Sequence, residues 1–182
     1  MATIDNKNFA YDEMMTHIPL CSHNNIKKVL IVGEISEEFE IEIDKHKIEE
    51  VVYTNELNID DTFDIILYNK QVKSQEELIL LDRLLEPSKG ILCTQSIGVR
   101  KDIESFKENL KLIANRFWIT MPFSFGHTTL IFASKKFHPQ ANIVLQVSDM
   151  LEDCNYYNTE LHNAAFVFPT YITKALTGIA KR

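Results

Sequence analysis

Four short runs of branched aliphatic and aromatic residues recur along the chain: KKVLIVG (27–33), VVYTN (51–55), FDIILYN (63–69) and GILCTQS (90–96), with charged or amphipathic stretches between them. Each run has strand length, and a nearly unbroken apolar run is the pattern of a strand buried on both faces. Strands of that kind pair in parallel, and a parallel pair needs a crossover between its members, usually a helix. The alternation therefore predicts an α/β fold with a mainly parallel sheet, helices on both faces and KKVLIVG as an inner strand.

The remaining segments fill in that plan. From Ile4 to Leu20, Phe9, Met14, Met15 and Ile18 recur at helical spacing, and Pro19 with CSHNN closes a short helix. In SEEFEIEIDKHKIEE, Phe39, Ile41 and Ile43 alternate as in a strand, but the Glu and Lys content favours a helix. Leu78, Leu80, Leu81, Leu84 and Leu85 give the pattern of an amphipathic helix over 74–85, and Ile103, Phe106, Leu110 and Ile113 make one face of a helix over 101–114. FWITMPF and TTLIFASK read as neighbouring antiparallel strands because few residues separate them. Two helical stretches are expected beyond them, Val144–Leu151 and Tyr171–Ala180, separated by the polar CNYYNTE. No repeat or linker interrupts the chain, so 1–182 is read as one domain of about six strands.

Charge and cysteine usage narrow the function classes. The 182 residues carry 19 Lys+Arg against 26 Asp+Glu, a formal charge of −7, with no basic stripe, so nucleic acid is not an expected partner. Cys21, Cys93 and Cys154 are odd in number and form no CxxC, which predicts neither a disulfide framework nor a metal site. His17, His23, His46, His127 and His138 lack metal-ligand spacing along the sequence. Reduced cysteines suggest a cytoplasmic protein. No apolar run reaches the roughly 18 residues that a membrane helix needs.

Three stretches carry a resemblance. FAYDEMMTHIPLCSHNNIKKVLIVG, then FDIILYN followed by KGILCTQS, then IFASKKFHP with YYNTELHNAAFVFPTYITKAL are similar, in this order, to the spermidine synthase (polyamine aminopropyltransferase) family. The resemblance spans Phe9 to Leu176 and implies a Rossmann-like, methyltransferase-type fold with an antiparallel strand near one edge. It also implies transfer of an aminopropyl group from decarboxylated S-adenosylmethionine to putrescine. A diamine is protonated at neutral pH, so a carboxylate must hold it and accept a proton before nitrogen attacks the carbon beside the sulfonium. A glycine loop, an acid for the ribose hydroxyls and a lid complete such a site.

Laid onto this sequence, the family's catalytic aspartate falls on Asn69, followed by Lys70, Gln71 and Val72 where a second acid is expected. An amide has no titrating oxygen. Gly33 matches the first glycine of the cofactor loop, but EISEE follows it in place of further glycines and an aspartate. Asn55 or Glu56, after VVYT, is the candidate for the ribose, and only one such strand fits between KKVLIVG and FDIIL where the family has two. Tyr11 and Gln95 match substrate-site positions; Phe123 or Ser124 stands where a tyrosine is expected. Tyr157, Asn158 and His162 match a C-terminal signature that is read as packing. The gate after the aspartates, the N-terminal β-domain and a cofactor-binding glutamine before Gln71 are not found in this sequence, and the bare face would favour a homodimer. The expected ligands are a polyamine or a nucleoside such as decarboxylated S-adenosylmethionine or methylthioadenosine. One hypothesis is a transferase in which Glu37 or Glu38 replaces the lost acids. The other is a non-catalytic descendant that binds a polyamine or a partner chain, and a generic nucleoside-binding protein is a third.

Overall fold

The computed structural model describes residues 8–181, so the start of the first expected helix, residues 4–7, lies outside the described residues. Six strands, β1 (Lys28–Val32), β2 (Glu50–Thr54), β3 (Ile65–Gln71), β4 (Ile91–Gln95), β5 (Ile119–Phe125) and β6 (Thr128–Ser134), form one sheet in the order β2-β1-β3-β4-β6-β5. β1 lies inside the sheet, parallel to both β2 and β3, and β3 is parallel to β4. β6 runs antiparallel to β4 and to β5, so it alone is reversed and sits one place in from the edge.

Alternate residues of the central strands enter two separate cores. Val29 and Ile31, Ile65 and Leu67, and Ile91 and Cys93 pack on one face; Leu30 and Val32, Ile66 and Tyr68, and Leu92 pack on the other. This two-sided burial is the reason the strands read as continuous apolar runs. The first face is covered by α1 (Phe9–Leu20) through Met14, Met15 and Ile18, and by α2 (Glu37–Asp44) through Phe39 and Ile43. The second is covered by α3 (Gln75–Leu84) through Leu78, Leu81 and Leu84, and by α4 (Ile103–Ala114) through Phe106, Leu110 and Ile113. Helix starts are fixed by side chains: the oxygens of Ser36, Ser74 and Asp102 accept the backbone N–H of Phe39, Glu77 and Ser105 at 3.1, 3.2 and 3.1 Å.

The ambiguous acidic segment is a helix: Phe39 and Ile43, four apart, are buried, while Ile41 is 58% exposed. Periodicity of four rather than two decides such a case. At the C-terminal end the structure corrects the expectation. Three short helices appear, α5 (Leu145–Ser148), α6 (Thr159–Ala164) and α7 (Thr170–Ala175), where two longer ones were anticipated. The α6 helix begins in the polar stretch because Asn158 Oδ1 accepts the N–H of Leu161 at 2.7 Å, and six residues are too few to show a period. Beyond α7 the chain turns through Gly178 at φ +79° instead of continuing to Ala180 as helix. Among the described residues no helix is long and apolar enough to cross a membrane.

Candidate functional site

In an open parallel sheet, ligand crevices form beyond the carboxyl ends of the strands. Here the ends of β1, β3 and β4 face the first turn of α1 across a cavity of about 610 Å³, lined among others by Tyr11, Asp12, Glu34, Glu38, Asn69 and Gln95. The β3–β4 register slips between Tyr68 and Gln71, and this irregularity falls at Asn69.

Both side-chain heteroatoms of Asn69 are engaged by its neighbours. Its side-chain oxygen accepts from the Tyr11 hydroxyl and from Gln95 Nε2 at 2.9 Å, and its Nδ2 donates to the Glu34 carbonyl. Gln95 Nε2 also donates to the Tyr11 oxygen at 2.8 Å, closing a three-residue ring. Burial raises the Tyr11 phenol well above its usual range, outweighing the lowering effect of the Gln95 bond, so Tyr11 remains a hydroxyl donor. The sequence-predicted residues Tyr11, Asn69 and Gln95 are thus in mutual contact, and together they present a neutral surface.

The buried acid of this cavity comes from α1. Asp12 follows Tyr11 and is 7% exposed; burial raises its carboxyl to about 6, opposed by a hydrogen bond from Ser36 Oγ at 3.1 Å and assisted by the charges of Glu38, Glu42 and Glu13. The sequence reading did not single out Asp12. Its only signal was a carboxylate one residue beyond a candidate site tyrosine, in the first turn of an apolar helix. Glu34 and Glu38, from the segment that replaces the glycine loop, line the same wall, whereas Glu37 does not.

Gly33 ends β1 at φ +115°, and its N–H bonds the Thr54 carbonyl at 3.0 Å. It stands behind Asn69 rather than in the cavity lining. Glu56 is exposed, its N–H is held by Thr54 Oγ1 at 3.0 Å, and it lies outside the lining as well. Lys70 is not part of the lining either; its carbonyl accepts from Thr94 Oγ1 at 2.8 Å. Phe123 is wholly buried in the core. His162 links the Tyr157 hydroxyl at 2.8 Å and the Pro139 carbonyl at 3.0 Å, an internal role.

With the geometry in view, the chain can be placed among known proteins. Residues 8–61 match the family model described as the spermine/spermidine synthase domain. A polyamine aminopropyltransferase from Clostridium perfringens is 23% identical over 98% of this chain and 82% of its own length. One from Clostridium acetobutylicum is 28% identical over 92% of this chain and 78% of its own. Spermidine synthase 2 of Arabidopsis thaliana is 27% identical over 92% of this chain and 67% of its own. Among solved structures, spermidine synthase from Thermotoga maritima superposes with a TM-score of 0.82 at 23% identity, covering 97% of this chain and 77% of that one. A spermidine synthase in complex with the transition-state analogue AdoDATO gives a TM-score of 0.82 at 22% identity. Residues 8–61 thus carry a match to the spermine/spermidine synthase domain, the chain is similar along nearly its whole length to polyamine aminopropyltransferases, and its mixed sheet is the fold of the solved spermidine synthases.

Proposed function

We propose that this protein is a spermidine synthase-like binder of polyamines whose transfer chemistry is impaired. The observation that carries the reading is Asn69: a neutral amide, with its oxygen and nitrogen both engaged, stands at the strand end where the reaction calls for a proton-accepting carboxylate. Cation attraction remains, because Asp12, Glu34 and Glu38 line the cavity. A diamine entering it meets hydroxyl and amide oxygens at Tyr11 and Gln95 and negative charge on the α1 side.

Calorimetry with putrescine, spermidine and methylthioadenosine, run beside an assay of aminopropyl transfer from decarboxylated S-adenosylmethionine, tests the proposal. Amine binding that weakens roughly tenfold in Asp12→Asn, with transfer reduced by the 10²- to 10⁴-fold that a lost general base costs, is the expected pattern. Turnover near one per second, in the ordinary enzyme range, would overturn it.

Asp12 supports a second reading. A carboxyl held at about 6 suits a general base near neutral pH, so Asp12, rather than Glu37 or Glu38, is the acid able to take over from the missing aspartate. Under that reading transfer persists in the wild type and disappears in Asp12→Asn.

A further inference from the structure

Outside the cavity lining, three ligand-type side chains from distant parts of the chain converge. His17 is fully buried on α1, Glu42 projects from α2, and Cys154 comes from the loop before α6. His17 Nε2 lies 2.8 Å from Glu42 Oε2 and 3.6 Å from Cys154 Sγ, and all three ligand atoms fall within 4.8 Å of one another. We propose that His17, Glu42 and Cys154 form a binding site for a borderline divalent cation, zinc being the best match, which ties α1, α2 and the loop before α6 together.

The donor set and spacing suit zinc. It takes imidazole nitrogen, thiolate and carboxylate at roughly 2.0 to 2.3 Å in a tetrahedron, which sets nitrogen and sulfur ligands about 3.6 Å apart. The nitrogen–oxygen separation must open slightly from its present hydrogen-bonded value. One thiolate and one carboxylate balance the charge of the ion, as a largely buried site requires. Upon binding, the Cys154 thiol releases its proton to solvent, neutral His17 keeps its single ring proton on Nδ1 and presents the Nε2 lone pair, and water takes the fourth position.

Two further observations point to a cation. Lys45 already supplies one: its Nζ is 2.7 Å from Glu42 Oε2, 3.3 Å from the Asp153 carbonyl and 3.9 Å from Cys154 Sγ. An ammonium is thus held by two of the three ligands, and its long, part-exposed side chain can withdraw to solvent when a metal replaces it. The other nitrogen of His17 is also committed, 2.8 Å from His46 Nε2. An imidazole that ligates through one nitrogen is oriented by such an outer partner, with Nδ1–H donating to the second ring.

The loop is fixed independently of any metal. Glu13, 1% exposed, accepts the N–H groups of Asn155, Tyr156 and Tyr157 at 2.8, 2.8 and 2.7 Å, which holds Cys154 over His17. These ligands are 25 and 112 residues apart, so no spacing along the chain reveals them.

The full chain should be titrated with Co²⁺ and Zn²⁺ under reducing conditions. One equivalent of Co²⁺ is expected to produce a thiolate-to-metal charge-transfer band that Cys154→Ser abolishes and Cys93→Ala retains. Zinc affinity should fall about 10- to 100-fold in Cys154→Ser and rise in Lys45→Met, where the competing ammonium is gone. A band that survives Cys154→Ser, or the absence of any band in both wild type and Lys45→Met, would overturn the assignment.

Discussion

Gly33, the residue after β1, and Asn69, within the parallel neighbour β3, lie so close that a Cβ on Gly33 would stand 3.2 Å from both the Cβ and the carbonyl oxygen of Asn69. Gly33 also sits at φ +115°, where an L side chain is strained. Gly33→Ala should therefore cost roughly 1–3 kcal/mol and displace Asn69 from its ring. Urea denaturation, read together with amine affinity, checks both effects; an unchanged midpoint would contradict the crowding argument.

Removing one hydroxyl should disturb the neutral ring without touching a charge. In Tyr11→Phe, Asn69 Oδ1 loses a donor and Gln95 Nε2 loses an acceptor. Stability is expected to fall by about 1–2 kcal/mol, and amine affinity should fall with it. Asn69→Asp should not rescue transfer by itself, because the Glu34 carbonyl, which now accepts from Nδ2, would then face a carboxylate oxygen. Product formation at an ordinary enzymatic rate by that variant would refute the prediction.

Asp12 makes stability depend on pH in a stated direction. Its native carboxyl titrates at about 6, against about 3.9 in an unfolded chain. Between those values the native state binds more protons than the unfolded one, so this group's contribution worsens as pH rises and is fully unfavourable above 6. Asp12→Asn should thus stabilise the protein by about 1–2 kcal/mol above pH 6 and hardly at all below pH 4. Denaturation curves of the two proteins across that window supply the comparison.

Three imidazoles, two of them buried and His46 half-buried, act in the opposite sense. Burial lowers His23, His46 and His162 to about 4, 3 and 4, whereas an unfolded histidine titrates near 6.5. Their contribution is complete above pH 6.5 and is lost as pH falls toward 4, because only the unfolded chain takes up those protons. Three such groups outweigh Asp12, so net stability should drop on acidification from 6.5 to 4. His162→Gln should flatten that slope by up to about 1.4 kcal/mol per pH unit; an unaltered slope would show that His162 is not among the groups responsible.

Glu13→Ala should release the chain segment 155–157. Three charge-assisted bonds to consecutive backbone N–H groups are lost, and a cost of about 3 kcal/mol or more is expected. Amide exchange at Asn155, Tyr156 and Tyr157 should accelerate ahead of the β1 and β3 amides.

Much of the fold was legible because the central strands are buried on both faces, so that residues 29–32 of β1, VLIV, form an unbroken apolar run. The short helix α6 was not, since its start depends on one capping side chain, Asn158, rather than on a repeating face. Site residues followed the same division. Tyr11, Asn69 and Gln95 could be proposed because each stands at the end or beginning of a recognisable element. Asp12 became visible only when packing buried it beside Ser36, a partner 24 residues away. Glu56 illustrates the converse: it follows a strand end in sequence, but β2 is an edge strand and its end opens to solvent.

The Ser36 hydroxyl serves two elements at once, accepting the Phe39 N–H that starts α2 and donating to Asp12 on α1. Anything that changes the charge on Asp12, whether a proton or a bound ammonium, alters how strongly that hydroxyl is held. The cap that starts α2 is therefore tied to the charge state of the cavity's buried acid, and the residue it holds, Phe39, has its ring anchored in the core.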